Sequence, residues 1–589
     1  MAADFVQEPP ELHNQYNQDR VLRSYVQRRL PDAVRSAVEP ELVDLGDKAG
    51  NALYDLQQSD LDSEPTLTRW GPWGDRVDRI EVTDVWKRAE TLAAERGIVA
   101  TAYEQEHGAH SRVHQMLLAY LFIPSTDMYG CPLAMTDGAA RTLIEVGREP
   151  LIDEAVPRLT SRDPETFWTS GQWMTELSGG SDVGRSRTSA RQDADGTWRL
   201  HGRKWFTSAI TADMALALAR PEGNPEGGEG LALFYVPVRD GDGLREGLRV
   251  NRLKDKLGTR KLPTAELTLD GAAARPVTDD LAHGTRHVAP MLNVTRTWNA
   301  VTAVSLIRRG LALARDYAQK REAFGEAIIN HPLHQETLAD VQATLEGSFH
   351  LAFRGAELMG AREAGTADET ETALLRLLTP LSKLTTAKQA VSTTSELLEA
   401  FGGAGYVEDT GLPALHRDAQ VLPIWEGTTN VLALDLLRAL RDVGSIAPLN
   451  DEVRRCVESV EAPTLTRAIR PAVRAYRDAV GWLKQALDEG EEALQAGARR
   501  FALTLGHSLE LLYTARHAQW SLRAEQDGRS AAAAERLATR QVNHIADLDP
   551  HDAHVLVWDF NCPTLFDCHA QGDGATTEDP ELESLSDVM

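Results

Sequence analysis

Leu422-Pro423-Ile424-Trp425-Glu426-Gly427-Thr428-Thr429-Asn430 sets one carboxylate between two large apolar residues and a glycine. Thr428 or Thr429 is placed to cap a helix whose apolar positions run Val431, Leu434, Leu437 and Leu440. A carboxylate with apolar neighbours and no evident partner is a candidate general base. Taken alone, the stretch better suits a loop glutamate ahead of a helix. The rest of the chain decides between the two.

The chain of 589 residues has room for several domains, and its 42% hydrophobic and 25% charged content is that of an ordinary globular protein. Asp+Glu number 88 against 62 Lys+Arg, a net charge of -26 that disfavours nucleic acid and anionic membranes as general partners. Four scattered cysteines imply no disulfide framework. Cys562, Cys568 and His569 lie close together but lack further ligands, so no metal is expected. Residues 1–10 carry acids and no apolar core, and no run of eighteen apolar residues occurs. No leader, no membrane span and a cytoplasmic location are therefore expected.

Residues 1–45 read as an irregular lead-in with one helix over 20–37. Residues 66–79, with Trp70 and Trp73 among glycines and charges, read as a loop whose tryptophans anchor packing. Helical spacing then runs over 82–157. From about 165 the texture changes. Short β-prone runs at 166–169, 197–202, 204–208, 214–218, 231–238 and 265–269 are separated by Gly, Asp and Pro clusters. They predict a small antiparallel barrel or sandwich. Long amphipathic segments follow at 297–320, 332–363, 369–401 and 428–442, the pattern of a helix bundle, with a further helical block at 452–546. The expected fold is α+β. It comprises an N-terminal helical domain (1–165), a β domain (166–284), a helix bundle with the Glu426 loop (285–445), an added helical domain (446–565) and an acidic disordered tail (566–589). No internal repeat, GxGxxG or P-loop is found, which leaves a Rossmann or P-loop nucleotide site unsupported.

Four further motifs carry chemistry. In Gln172-Trp173-Met174-Thr175-Glu176-Leu177-Ser178-Gly179-Gly180-Ser181-Asp182-Val183, glycines permit close backbone approach to a ligand and Thr175 and Ser181 offer hydroxyls. Lys204-Trp205-Phe206-Thr207-Ser208 sets a tryptophan beside hydroxyls on one strand, able to flank an aromatic cofactor. Arg321-Glu322-Ala323-Phe324-Gly325 closes a helix with an arginine able to neutralise a phosphate. A helix stops on glycines at Phe401-Gly402-Gly403-Ala404-Gly405-Tyr406.

Together, in this order, these motifs resemble the acyl-CoA dehydrogenase family over residues of about 80 to 445. MTELSGGSDV is similar to the family's first flavin signature, KWFTS to its tryptophan-bearing flavin strand, and REAFG to the motif that reaches the FAD of a neighbouring subunit. The glycine turn resembles the one against the adenosine half, and in IWEGTTN Glu426 falls on the catalytic base. The resemblance implies FAD contacts from Gln172, Met174, Thr175, Gly180 and Ser181, and from Trp205, Phe206, Thr207 and Ser208. It implies others from Arg321, Phe324, Gly402 and Gly403, and from Trp425, Thr428 and Asn430. Arg296 is expected beside the substrate or Glu426. Residues 293–297, in the region where some members of the family place the base instead, hold no carboxylate, which supports Glu426, whereas Pro332 stands where the family often has a glutamine.

The implied activity is α,β-dehydrogenation of an acyl-CoA thioester by a homotetramer, with an electron acceptor that the residues do not name. The run Arg252 to Gly258, the IWEG form of the loop and the added block resemble the AidB-like branch, whose members are flavoproteins linked to an alkylation response and for which DNA binding has been proposed. The arginine pairs Arg454-Arg455, Arg474 with Arg477, and Arg499-Arg500 suit that alternative. With 14 Lys+Arg against 18 Asp+Glu in residues 451–570, charge weighs against it.

Overall fold

Pro31 splits the first expected helix. Leu30 turns extended, and the chain resumes as a second helix, because a residue before proline leaves the helical region. The resulting α1 (Arg20–Arg29) and α2 (Asp32–Gly50) lead to α3 (Ala52–Ser59), α4 (Asp84–Glu95), α5 (Ala100–Glu104), α6 (Ser111–Phe122), α7 (Gly130–Val146) and α8 (Glu149–Leu159). The computed structural model describes residues 6–241, 243–548, 553 and 556–558. The expected acidic tail and the Cys562, Cys568 and His569 group lie outside the described residues.

Residues 66–79 are not a loop. They form most of an antiparallel hairpin, β1 (Thr66–Trp70) with β2 (Arg76–Glu81). Nor do its tryptophans anchor packing: Trp70 faces solvent, with the Arg76 guanidinium over its ring, and Trp73 is 95% exposed.

The β domain comprises β3 (Ser170–Trp173), β4 (Ser189–Gln192), β5 (Trp198–Ser208), β6 (Met214–Pro221), β7 (Ala232–Pro237), a two-residue pair β8 (Arg239–Asp240) and β9 (Gly243–Leu244), β10 (Leu248–Leu253) and β11 (Thr264–Pro276). Pairing runs β11–β5–β4–β6–β7 and returns to β11 through Arg275 and Pro276, which closes a five-stranded barrel. β10 extends it from β11 and β3 from β6. Pairing is antiparallel except at β3–β6 and β4–β6, which are parallel. The strand expected at 166–169 begins at Ser170, because the Thr166 and Phe167 amides close a turn on the Asp163 carbonyl. Along β6 the side chains alternate as a strand requires. Ala215, Ala217 and Ala219 fill the barrel, and Met214, Leu216 and Leu218 pack against Leu143 and Leu151 of α7 and α8.

Short α9 (Gly284–His287) leads into α10 (Ala289–Lys320), a small hairpin of β12 (Glu322–Ala323) and β13 (Glu326–Ala327), α11 (Pro332–Glu363), α12 (Glu369–Ala400), α13 (Leu412–Ala419) and α14 (Thr429–Val443). Asp368 and Glu371 form a capping box at the start of α12. On α14 the buried face is Leu432, Ala433, Leu436, Leu437 and Ala439. It is rotated from the expected stripe, and Leu434 is exposed, because Thr428 caps the helix and fixes its phase.

The added block is α15 (Ala447–Glu458), α16 (Pro463–Ala468), α17 (Arg470–Glu489), α18 (Glu491–Ala524) and α19 (Arg529–Ala538). It shares one continuous core with the bundle and the N-terminal helices, running through Leu22, Phe349, Leu384, Leu512 and Leu537. Gly347 of α11 lies against the Glu510 side chain and Gly506 of α18 against Thr385, approaches that a larger residue would block. No helix among the described residues is long and apolar enough to cross a membrane.

Glu510 of α18 is sealed between α11 and α12. Gln389 donates to it at 2.7 Å and Ser348 at 3.2 Å, and burial pushes its carboxyl up to about 8. The folded state therefore keeps a proton that the unfolded chain releases above the ordinary glutamate range. Stability attributable to this group falls as pH rises from about 5 to 8 and levels off beyond. Glu510→Gln should remove this slope, on the order of 2–4 kcal/mol across the window. Denaturant unfolding at pH 6 and 9 checks it; an equal loss in wild type and variant would place the proton elsewhere.

Candidate active site

Glu426 and Gly427 both have left-handed backbones, φ +56° and +100°. For a glutamate this is strained, and it persists because its surroundings over-determine it. Arg296 Nε donates to the Glu426 carbonyl at 3.3 Å and Lys383 Nζ to the Gly427 carbonyl at 2.6 Å. Arg296 is itself fixed by Asp435 at 2.7 Å, which also takes Arg376 at 3.1 Å. Burial alone would raise the Asp435 carboxyl, but Arg296 and Arg376 outweigh it and hold the group below its usual range. Burial lowers Lys383 to about 7, with Glu426 opposing and Arg296 adding to the shift. The Thr428 hydroxyl accepts the Val431 amide and starts α14.

The Glu426 side chain accepts from the Thr295 hydroxyl on Oε2, and Gln172 Nε2 lies 3.5 Å from Oε1. Trp425 donates its indole N–H to Asn299, one turn along α10 from Thr295. Nearby Cys131 is held as a thiol, pushed up to about 12 by burial, with Lys256 opposing and Glu426 adding to the rise. Ile424, one of the two large apolar residues before Glu426, is turned to solvent in the single chain.

The β-domain half rests on Glu176. This buried carboxylate accepts from the Arg187 amide at 2.7 Å, the Thr188 hydroxyl at 2.6 Å and the Lys204 ammonium at 2.8 Å. Lys204 also donates to the Leu218 carbonyl, which ties the Thr175–Asp182 loop to β5 and β6. The Trp205 amide donates to the Thr175 carbonyl at 3.0 Å, which sets that loop beside the KWFTS strand. Lys254 of the residues following β10 stands 3.3 Å over the Trp205 ring and 4.8 Å over Phe206. Phe206, Gly180 and Ser181 are exposed, whereas Met174 is buried. Thr207 is also buried, and its hydroxyl is committed to the Ala265 carbonyl of β11; Ser208 bonds Thr264.

Other expected contacts lie elsewhere on the chain. Asn430 accepts from Arg499 of α18. Arg321 donates to Gln7, and Phe324 is 99% exposed at φ +53°, its ring edge-on to His331. Gly402, at φ +58°, and Gly403 have open space around them. Among the arginine pairs of the added block, Arg454 is engaged by Asp451 and Arg455 by Glu452. Thr295, Asn299 and Lys383 escaped the motif reading. Lys383 carried a signal: it is a lone lysine among Leu377, Leu378, Leu381 and Leu384 on one buried helix.

Family models match three consecutive segments: the "Adaptive response protein AidB N-terminal domain" at 7–165, the "Acyl-CoA dehydrogenase, middle domain" at 171–272 and the "Acyl-CoA dehydrogenase, C-terminal domain" at 282–441. Acyl-CoA dehydrogenase family member 11 of Caenorhabditis elegans is 42% identical over 85% of this chain and 84% of its own length. The chain belongs to the acyl-CoA dehydrogenase family. AidB of Escherichia coli, 32% identical over 66% of this chain and 71% of its own, places it in the AidB-like branch. The crystal structure of Caenorhabditis elegans ACDH-11 in complex with C11-CoA superposes with a TM-score of 0.90 at 39% identity, covering 95% and 98% of the two chains.

Acyl-CoA dehydrogenases typically use FAD, and the residues here fit one. Gln172 Oε1 and Ser178 Oγ, on either side of the Thr175 turn, are buried without a hydrogen-bond partner among the described residues. The half-buried Trp205 and exposed Phe206 present aromatic surface on the same strand. Lys204→Met would leave Glu176 buried without its cation, at a cost of about 3–5 kcal/mol. Hydrogen exchange should show faster exchange across residues 175–190 in this variant, and unchanged protection there would remove the ion pair from its assigned role.

Proposed function

We propose that this acyl-CoA dehydrogenase uses FAD to introduce an α,β double bond into acyl-CoA thioesters, with Glu426 as the base. The observation that carries the reading is the Glu426 carboxylate, held by Thr295 in a turn whose two carbonyls are clamped by Arg296 and Lys383. Bound FAD would supply the hydride acceptor for the β-hydrogen. Thr295 and Gln172 orient the carboxylate toward one proton, that of the thioester α-carbon. Among the described residues the Glu426 amide N–H in this left-handed turn has no hydrogen bond, which makes it a donor available to the thioester oxygen as enolate charge develops. On the other side, the Thr175 loop and the KWFTS strand would cradle the flavin.

Phe324, Leu333 and Tyr406 are almost fully exposed apolar side chains near Arg321 and the Gly402–Gly403 turn in sequence. They suit a homotetramer in which these residues complete a neighbouring subunit's FAD site. The relation to a protein solved with C11-CoA supports an acyl chain of that length class.

Anaerobic titration of the flavin with short, medium and long straight-chain acyl-CoAs tests the proposal. Bleaching should be strongest near the C11 length. Glu426→Gln should retain FAD and slow bleaching by on the order of 10²–10⁴-fold. Wild-type bleaching rates in that variant would refute Glu426 as the base.

A further inference from the structure

Three helices from separate parts of the chain meet at a small cleft away from the Glu426 turn. α1 brings Arg28 and Arg29, α11 brings His350 and Arg354, and α18 brings Tyr513 and Arg516. Two carboxylates serve these cations: Glu357 of α11 and the fully buried Glu452 of α15. Both are already engaged. Arg29 donates to Glu357 at 2.6 Å, Arg354 spans Glu357 at 3.1 Å and Glu452 at 2.9 Å, and Arg455 takes Glu452 at 2.6 Å.

Arg516 reaches Glu452 only at 4.0 Å. Arg28 makes no ion pair or hydrogen bond among the described residues. Burial, and repulsion from Arg29 and Arg516, lower Arg28 to about 10. Two neutral groups on the same walls lack a close hydrogen-bond partner among the described residues: Nε2 of His350 and the hydroxyl of Tyr513, which faces the already engaged Glu452, on side chains of residues 7% and 4% exposed. Burial, then Arg28, Arg20 and Arg29, hold the His350 imidazole neutral, far below its usual range. His517 stacks on it with ring centroids 4.4 Å apart.

One unpaired guanidinium, Arg28, and a second, Arg516, paired only at 4.0 Å, beside unsatisfied neutral groups, are the complement of an anion with several acceptor oxygens. The cavity, about 30 Å³, admits a few waters or one compact ion. We propose that this cleft binds a small tetrahedral oxyanion of the phosphate class, with Arg28 and Arg516 balancing its charge and His350 and Tyr513 donating to its remaining oxygens. The ion joins the N-terminal helices, the bundle and the added block, so its binding stabilises their junction. This is independent of the proposed dehydrogenation.

The test uses the full-length, FAD-loaded protein at constant ionic strength, with chloride replaced by orthophosphate, sulfate or glycerol phosphate. Melting temperature should rise saturably with orthophosphate or sulfate, and calorimetric titration should show one site per chain. Response to the free ions alone assigns a free oxyanion; an equal response to glycerol phosphate assigns the phosphate end of a larger ligand. Arg28→Met should weaken binding at least tenfold, melt no lower than wild type in chloride, and keep acyl-CoA bleaching. Phosphate and sulfate also stabilise proteins by exclusion from their surface, without saturation. A rise of equal size in wild type and Arg28→Met, or no calorimetric binding to wild type, would overturn the site. The calorimetry on wild type decides even if the variant does not fold.

Discussion

Two buried side-chain donors hold two consecutive carbonyls, and the catalytic half of the site depends on that clamp. Arg296 and Lys383 come from different helices, α10 and α12, and grip the Glu426 and Gly427 carbonyls at the point where the backbone turns left-handed. Without them, a glutamate at positive φ would relax toward an ordinary loop conformation and carry its carboxylate away from Thr295. Asp435, in the helix that this turn begins, fixes Arg296 in return. The turn, the helix cap at Thr428 and the bundle thus constrain one another in a closed circuit.

The β-domain half is built on the same logic with the charges reversed. There a buried carboxylate, Glu176, gathers backbone and side-chain donors and an ammonium group around a glycine-rich loop. A buried ion pair contributes little net stability, but removing one partner is costly, so the loop has one arrangement and few alternatives. The Ser181 hydroxyl and the glycines beside it are left free to face a ligand because Glu176 and Lys204 do the holding. Thr207 shows the converse: its hydroxyl is spent on the barrel, which leaves the exposed face of Phe206 and the ring of Trp205 as that strand's contribution.

The added helical block is not an appended module. Its long helix α18 shares the bundle's core and meets α11 and α12 at glycines, with Glu510 sealed in the contact. Where α1, α11 and α18 converge, Arg28 and the Nε2 of His350 have no partner among the described residues. The junction therefore combines firm apolar packing with an electrostatic deficit that a bound anion relieves.

Local patterns in the sequence determined the helix and strand order, the long bundle helices, the turn before α14 and the candidacy of Glu426. Each is written in residues within a few positions of one another: apolar spacing, proline breaks, a threonine cap, a glycine after a carboxylate. Where local signals were ambiguous, the reading failed. Glycine-rich 66–79 paired as a hairpin because two strands met, and the buried face of α14 followed its cap, not the most apolar stripe. Only the tertiary structure brought Thr295 and Gln172 to Glu426 across 131 and 254 positions of chain, set Lys383 on the Gly427 carbonyl and sent Asn430 to Arg499. A side chain's type states what it can bond to; which distant partner it meets is fixed by helix phase and packing, quantities that no short stretch contains.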